Sequence, residues 1–122
     1  MNEMIRDKES TRAFREQLIA FIYEFQDRIC IALETVDGTA KFREDRWERE
    51  QGQGGGGHTR IIAGGTVFEK GGVNTSVVYG KVSDAIRTHL DIKGDTWFAS
   101  GLSLVIHPLN PYVPTVHANW RY

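Results

Sequence analysis

The apolar positions of the N-terminal third repeat at steps of three and four residues. They are Phe14, Leu18, Phe21, Ile22, Phe25, Ile29 and Leu33. This is the period of an amphipathic α-helix, so the pattern predicts a helix over residues 11–34, preceded by a frayed polar segment, 1–10. Asp37 and Gly38 are typical of a helix end followed by a turn.

The C-terminal stretch, residues 101–122, follows a period of two instead, which is the period of β-strands. In its first run the apolar residues Leu102, Leu104 and Ile106 alternate with Ser103, Val105 and His107. In its second run one face of the strand carries Val116, Ala118, Trp120 and Tyr122, and the other face carries Thr115, His117, Asn119 and Arg121. We therefore expect two strands, joined by a connection that contains all three prolines.

The polar faces of these two strands have an unusual composition. A sheet with one buried and one solvated face gives the same alternation without any function. A merely solvated face would more typically carry Lys, Glu and Thr, whereas His117, Asn119 and Arg121 form a set that can bind a carboxylate and move a proton.

The middle of the chain gives shorter signals. Residues 39–47 alternate loosely and predict a strand that runs into the charged segment 43–50, for which a helix is the competing interpretation. Short strands are expected at 60–63 and 66–70, joined by a Gly64-Gly65 hairpin, with a bend at Gly71-Gly72. An alternating strand at 73–80, a short helix or irregular insert at 82–90, and a strand at 97–107 follow. The predicted fold class is α+β, an antiparallel sheet packed against an N-terminal amphipathic helix.

Glycine is concentrated in one part of the chain, with nine of the 13 glycines between Gly52 and Gly72. Such a run predicts a loop over 52–60, because glycine adds unfolded-state entropy and supplies no side chain. Its spacing imitates a phosphate-binding loop with His58 in place of the lysine, but no strand precedes it and no helix follows. The run is interpreted as a flexible tether or as a mobile lid flanked by Arg49 and Arg60.

Composition narrows the class of protein. The 122 residues suit one domain, and 15 Lys+Arg against 16 Asp+Glu argue against a nucleic-acid or anionic-membrane binder. No segment reaches the length of a membrane span, and no signal-peptide pattern is present. The single cysteine, Cys30, is expected to be a packing residue in a reducing compartment, so we expect a cytoplasmic protein.

Three kinds of chemistry are candidates for the polar residues: metal binding, nucleophilic catalysis and general acid–base catalysis. His107 and His117 would converge if their strands pair, although two histidines are too few for a closed zinc site and His58 and His89 are isolated. Ser103 lacks the surroundings of a nucleophile elbow and is expected to donate a hydrogen bond. His117 suits general acid–base work, with Asn119 and Arg121 holding a carboxylate.

The sequence resembles the oxygen-dependent coproporphyrinogen-III oxidases of haem biosynthesis in three blocks. The blocks are Asp45-Arg46-Trp47-Glu48-Arg49 with the glycine run and Arg60; Phe68-Glu69-Lys70-Gly71-Gly72-Val73-Asn74-Thr75-Ser76; and Gly101-Leu102-Ser103-Leu104-Val105-Ile106-His107-Pro108 followed by Asn110-Pro111, Pro114-Thr115 and His117-Ala118-Asn119-Trp120-Arg121-Tyr122. The third block is similar to the family signature without gaps.

The resemblance implies an oxidative decarboxylation of coproporphyrinogen III to protoporphyrinogen IX by molecular oxygen, with no organic cofactor. It implies that His117 is the proton donor and that Ser103, Asn119, Trp120 and Arg121 bind the substrate. It also implies a divalent metal on His107 and His117, and a homodimer when the protein is full length.

Members of the family are longer than this chain, so the resemblance implies that residues 1–122 are the N-terminal part of a single domain, within a larger, helix-covered flat antiparallel sheet. Two rival functions accompany the enzyme hypothesis. One is a truncated module that binds a tetrapyrrole without turnover, and the other is a metal-dependent site on His107 and His117.

Overall fold

A computed structural model describes residues 2–50, 53–91 and 93–122. Its first element is the long helix α1 (Asn2–Asp37). The predicted helix over 11–34 is confirmed, but the expectation of a frayed segment before it is wrong, since the helix begins at Asn2. No glycine or proline interrupts the chain before Gly38, so nothing in the sequence stops the helix earlier. Gly38 ends it with a left-handed φ of 83° and donates its N–H to the carbonyl of Glu34 at 2.9 Å.

Five strands form one antiparallel sheet in which the spatial order equals the chain order. They are β1 (Arg43–Glu48), β2 (Gly54–Ala63), β3 (Phe68–Lys81), β4 (Thr96–Pro108) and β5 (Val116–Arg121). A second, short helix α2 (Asp84–Leu90) lies between β3 and β4, and the Ser83 hydroxyl caps it by accepting the N–H of Ile86. The predicted α+β class is confirmed.

The predicted glycine loop is wrong, because Gly54–Gly57 form the first half of β2 and pair with both β1 and β3. Two of these glycines make room for rings. A Cβ at Gly57 would lie 2.6 Å from the Trp47 indole, and one at Gly54 would collide with the Tyr79 ring. The glycines therefore let aromatic side chains lie directly on the strand. The tether and lid interpretations do not apply to this half of β2, and Gln51 and Gly52 lie outside the described residues.

The strand predicted over 39–47 is confirmed from Arg43 onward, so the competing helix interpretation of the charged segment is wrong. Two other local predictions also needed correction. Gly71 and Gly72 lie inside the continuous strand β3 instead of bending it. The connection between β2 and β3 is four residues long, 64–67, and it is closed by a hydrogen bond from the Gly64 N–H to the Glu69 carbonyl.

The hydrophobic core lies between α1 and one face of the sheet, called here the helix face. The helix contributes Ile22 and Cys30, and the sheet contributes Ile62, Phe68, Val73, Leu102, Leu104 and Ile106. The opposite face of the sheet, called the open face, has no covering element among the described residues. Cys30 is buried, as predicted for a packing residue, and its burial raises the pKa of its thiol.

Gln26 is the polar centre of the helix–sheet contact and is fully buried. Its amide donates to the His58 carbonyl at 2.8 Å and to the Val73 carbonyl at 3.0 Å, and its oxygen accepts from the Thr75 hydroxyl. One side chain of α1 thus binds two neighbouring strands, which fixes the helix along the sheet.

Asp37 plays the equivalent role at the end of α1. Its carboxylate accepts a hydrogen bond from the backbone N–H of Ala40, just after the helix. It also accepts hydrogen bonds from the backbone N–H groups of Thr66 and Val67, in the β2–β3 connection, and of Phe68, at the start of β3. These bonds, with the one from Ala40 the strongest, hold the pKa of Asp37 far below its usual range.

Candidate functional site

The register between β4 and β5 places the polar residues of the two strands on the open face. Ser103 lies opposite Asn119, Val105 opposite His117, and Gly101 opposite Arg121. Leu102, Leu104 and Ile106 are buried on the helix face, as the alternation predicts. The sequence-based prediction that His117, Asn119 and Arg121 share one face with Ser103 is therefore confirmed.

A row of polar side chains crosses all five strands at the level of Ser103. The directly paired positions are Asp45, Thr59, Asn74, Ser103 and Asn119. Within the row the Thr59 hydroxyl donates to the Asn74 side-chain oxygen at 2.7 Å. This bond occupies the Asn74 side-chain oxygen, and the amide keeps its two N–H donors for another partner.

Asn74 and Thr59 were not predicted as site residues from the sequence. The signal was present, because Asn74 is a polar residue in the alternating run of residues 73–80. What the sequence lacked was the register, which alone shows that Asn74 pairs with Ser103.

The two histidines lie on the same face in diagonal positions, because His117 pairs with Val105, two residues before His107. Diagonal neighbours on paired strands have Cα atoms about 7–8 Å apart, so both imidazoles can reach one ligand. His117 is exposed and His107 is half-buried beside its pairing partner Lys70. Across the described ranges, no group of three or more His, Cys, Asp or Glu side chains is placed to hold a metal ion.

Trp120 does not join the other predicted substrate-binding residues. It pairs with Leu102 on the helix face, and its ring meets Phe25 edge-on with the centroids 5.4 Å apart. The side chain is still 49% exposed. Trp120 thus packs against α1, on the side of the sheet opposite to the side chains of Asn119 and Arg121.

His58 belongs to a different environment on the helix face. Its ring lies 4.7 Å from that of Tyr23, and its Nδ1 is 3.7 Å from the Glu44 carboxylate. Arg60 contacts the same carboxylate at 3.0 Å and Asp27 at 2.7 Å. Hydrogen bonds from Arg46, together with those from Arg60, lower the pKa of Glu44. This cluster joins α1 to β1 and β2, and it lies apart from the open face.

The open face therefore combines four kinds of group on paired strands: a hydroxyl, carboxamides, a guanidinium and imidazoles. Guanidinium and amide donors bind carboxylates, and an imidazole can give or take a proton near neutral pH. The fold and this face define a protein whose antiparallel sheet presents groups suited to a carboxylate-bearing ligand beside an imidazole suited to acid–base chemistry.

The comparisons with known proteins give the family. A sequence model described as coproporphyrinogen III oxidase matches residues 17–122. A protein of Prochlorococcus marinus (strain NATL1A) named oxygen-dependent coproporphyrinogen-III oxidase is 50% identical over 103 residues, which are 83% of this chain and 29% of that protein. A protein of the same name from strain MIT 9515 is 47% identical over 117 residues, 94% of this chain and 34% of that protein.

The chain belongs to the coproporphyrinogen III oxidase family, as its sequence motifs predicted. It spans about a third of the length of the curated relatives that it matches. Neither helix, over the part that the structure describes, combines the length and hydropathy needed to cross a membrane.

Proposed function

We propose that this protein takes part in the oxygen-dependent conversion of coproporphyrinogen III to protoporphyrinogen IX in haem biosynthesis. The observation that carries the proposal is the face shared by Ser103, His117, Asn119 and Arg121. The names of the relatives support it, because they specify the same reaction.

The chemistry assigns a role to each of these residues. Arg121 and Asn119 hold the carboxylate of a propionate arm by charge-assisted and amide hydrogen bonds, and Ser103 donates to the same group. The arm loses carbon dioxide and a hydride equivalent to become a vinyl group, while oxygen takes up the hydride and a proton to form hydrogen peroxide. Each decarboxylation therefore consumes one proton, and His117 is the group on this face that can supply it. No organic cofactor enters this scheme.

A divalent metal ion is a further part of the proposal. His107 and His117 would supply two imidazole ligands, and a bound cation would add positive charge beside the carboxylate. Two imidazoles are half of a typical four-ligand set, so the described residues fit such an ion only in part. Metal analysis of the purified protein tests this, and less than a tenth of an equivalent removes the metal from the proposal.

We also propose that residues 1–122 are the N-terminal part of one larger domain, that the complete protein is a homodimer, and that it works in the cytoplasm. The threefold greater length of the relatives supports the first point. Light scattering of a full-length form tests the second, and cell fractionation tests the third.

The alternative function is tetrapyrrole binding without turnover. It is favoured by the open face itself, which presents donors for carboxylates and has no covering element among the described residues. Tight binding of a porphyrin without oxygen consumption would support binding alone.

The test of the enzyme proposal supplies a full-length form of the protein with coproporphyrinogen and air and follows the fluorescence of oxidised protoporphyrin. We expect product, and we expect His117→Ala in that form to reduce turnover far more than substrate affinity. His89→Ala, on exposed α2, is the matched control and should change neither. Absence of product from the unmodified full-length form refutes the proposal, and an equal loss in turnover and affinity would assign His117 a binding role only.

A further inference from the structure

A cavity of about 940 Å³ lies at one end of the sheet, where β2 begins, β3 ends and β4 starts. We call it the end cavity. Its main walls are three cations and three aromatic rings, namely Arg15, Arg49, Lys81, Tyr79, Trp97 and Phe98. No Asp or Glu is among its described lining residues. A cavity of this size with convergent cations is suited to an anionic small molecule.

The guanidinium of Arg49 is held in place. It donates to the Tyr79 carbonyl at 2.9 Å and to the Gly54 carbonyl at 3.3 Å, and it lies 5.0 Å from the centre of the Trp97 ring. Both hydrogen bonds use the same terminal nitrogen, so the other N–H groups of the fork are available to a ligand. Because the Arg49 guanidinium is already fixed, it loses little conformational freedom when it binds a carboxylate.

Arg15 approaches the cavity from α1. Its guanidinium carbon lies 4.5 Å over the Phe98 ring. Its Nε is buried and finds no acceptor among the described residues. Arg15 lines the cavity and adds a second positive charge to it.

Two glycines keep the aromatic walls flat. A Cβ at Gly54 would collide with the Tyr79 ring, and one at Gly80 would lie 3.2 Å from the Trp97 indole. Each ring therefore lies directly against backbone, and the wall it forms suits a planar ligand.

The end cavity lies at a defined distance from Arg121 along the sheet. Trp97 lies on the open face of β4, four residues before Gly101, and Gly101 pairs with Arg121. Four residues of antiparallel strand span roughly 13 Å. This distance is comparable with the breadth of a tetrapyrrole that carries carboxylate arms on opposite edges.

The geometry points to the end cavity as a second carboxylate site, which binds the two arms of the tetrapyrrole that do not react while Arg121 and Asn119 hold a reacting arm. The inference rests on the proposed function of the open face. Substrate and product both keep the unreacted arms, so the cavity would bind both molecules.

The experiment titrates the protein with two porphyrins and follows tryptophan quenching. Coproporphyrin III carries all four carboxylate arms, whereas mesoporphyrin IX keeps only the two that do not react. Arg49→Gln should weaken both porphyrins roughly tenfold or more, because each loses a charge-assisted contact. Arg121→Gln should weaken coproporphyrin III alone. Arg6→Gln, on the exposed start of α1, is the control and should change neither.

Arg15→Gln repeats the test from the other wall, in case Arg49→Gln disturbs the fold, and circular dichroism checks each variant. If both cavity variants bind both porphyrins as the unmodified protein does, the inference is overturned, even where Arg121→Gln upholds the open-face site. If the cavity variants weaken binding and Arg121→Gln does not, the open-face proposal fails and the end cavity stands as an independent site. If no variant changes the binding of either porphyrin, both the open-face site and the end-cavity site are wrong.

Discussion

Replacing Gln26 with Met should show how strongly one buried amide fixes the helix to the sheet. Methionine has nearly the same length and shape, so the change removes hydrogen bonds with little loss of volume. Three bonds disappear: those to the carbonyls of His58 and Val73 and the one from the Thr75 hydroxyl.

The expected cost follows from those three contacts. A buried hydrogen bond contributes about 1 kcal/mol net, and a buried group left without a partner costs about 1–3 kcal/mol. The thioether regains part of this through burial, since it carries no polar amide. We expect Gln26→Met to lower the free energy of unfolding by about 2–3 kcal/mol, a large share of the roughly 5–15 kcal/mol typical of a domain.

Urea denaturation followed by circular dichroism measures the change. Gln17→Met is the control, because Gln17 is exposed on the same helix, and it should stay within about 0.5 kcal/mol of the unmodified protein. Thr75→Val should partly rescue Gln26→Met, with a coupling energy of about 1 kcal/mol, because the Thr75 hydroxyl then keeps only a long hydrogen bond to the His58 carbonyl, at 3.4 Å. A cost below about 0.5 kcal/mol, or strict additivity, would show that Gln26 does not anchor α1.

Three further predictions concern single residues. The pKa of Asp37 is lowered in the folded state, so its ionised form adds stability above the unfolded pKa of about 3.9, and that stability is lost as the pH falls toward the folded pKa. The stability gap between the unmodified protein and Asp37→Asn, measured in urea, should therefore narrow below about pH 4; a gap that widens there would contradict the assignment. Gly57→Ala should destabilise the sheet, because its Cβ would collide with the Thr75 backbone carbonyl of β3 and with the Trp47 indole, whereas the matched change Gly72→Ala should be nearly neutral, because its Cβ would lie 3.9 Å from the nearest atom; equal melting temperatures would disprove the close-packing explanation. Cys30 should react slowly with a disulfide reagent at pH 8 and rapidly in urea, because burial raises the pKa of its thiol; fast reaction of the folded protein would show that the site is open.

The helix and the two faces of the last strands could be predicted because their signals are local. The apolar positions from Phe14 to Leu33 repeat at the helical period, and residues 101–122 alternate at the strand period. The family resemblance was equally accessible, since it rests on contiguous blocks of sequence.

The glycine run could not be placed from the sequence because its reason lies on a neighbouring strand. Gly57 is needed for Trp47, ten residues earlier, and Gly54 for Tyr79, on the other side of β2. Propensity alone disfavours glycine in a strand, and packing against aromatic rings overrides it here.

The polar row was missed for a related reason. Alternation shows which residues share a face within a strand, but not which residues meet across strands. Asn74 could be placed beside Ser103 only from the register, whereas the alternation alone puts Trp120 on the face opposite His117, Asn119 and Arg121.

The order of the strands also affects how the open face forms during folding. Each strand pairs with its neighbours in the chain, so β3, β4 and β5 can assemble one after another across the connections 82–95 and 109–115. The face that carries Ser103 and His117 is therefore set by local folding events. A slip of one residue in the last hairpin would turn His117 toward the helix and Ala118 outward, so errors in that single step would yield folded molecules without the site.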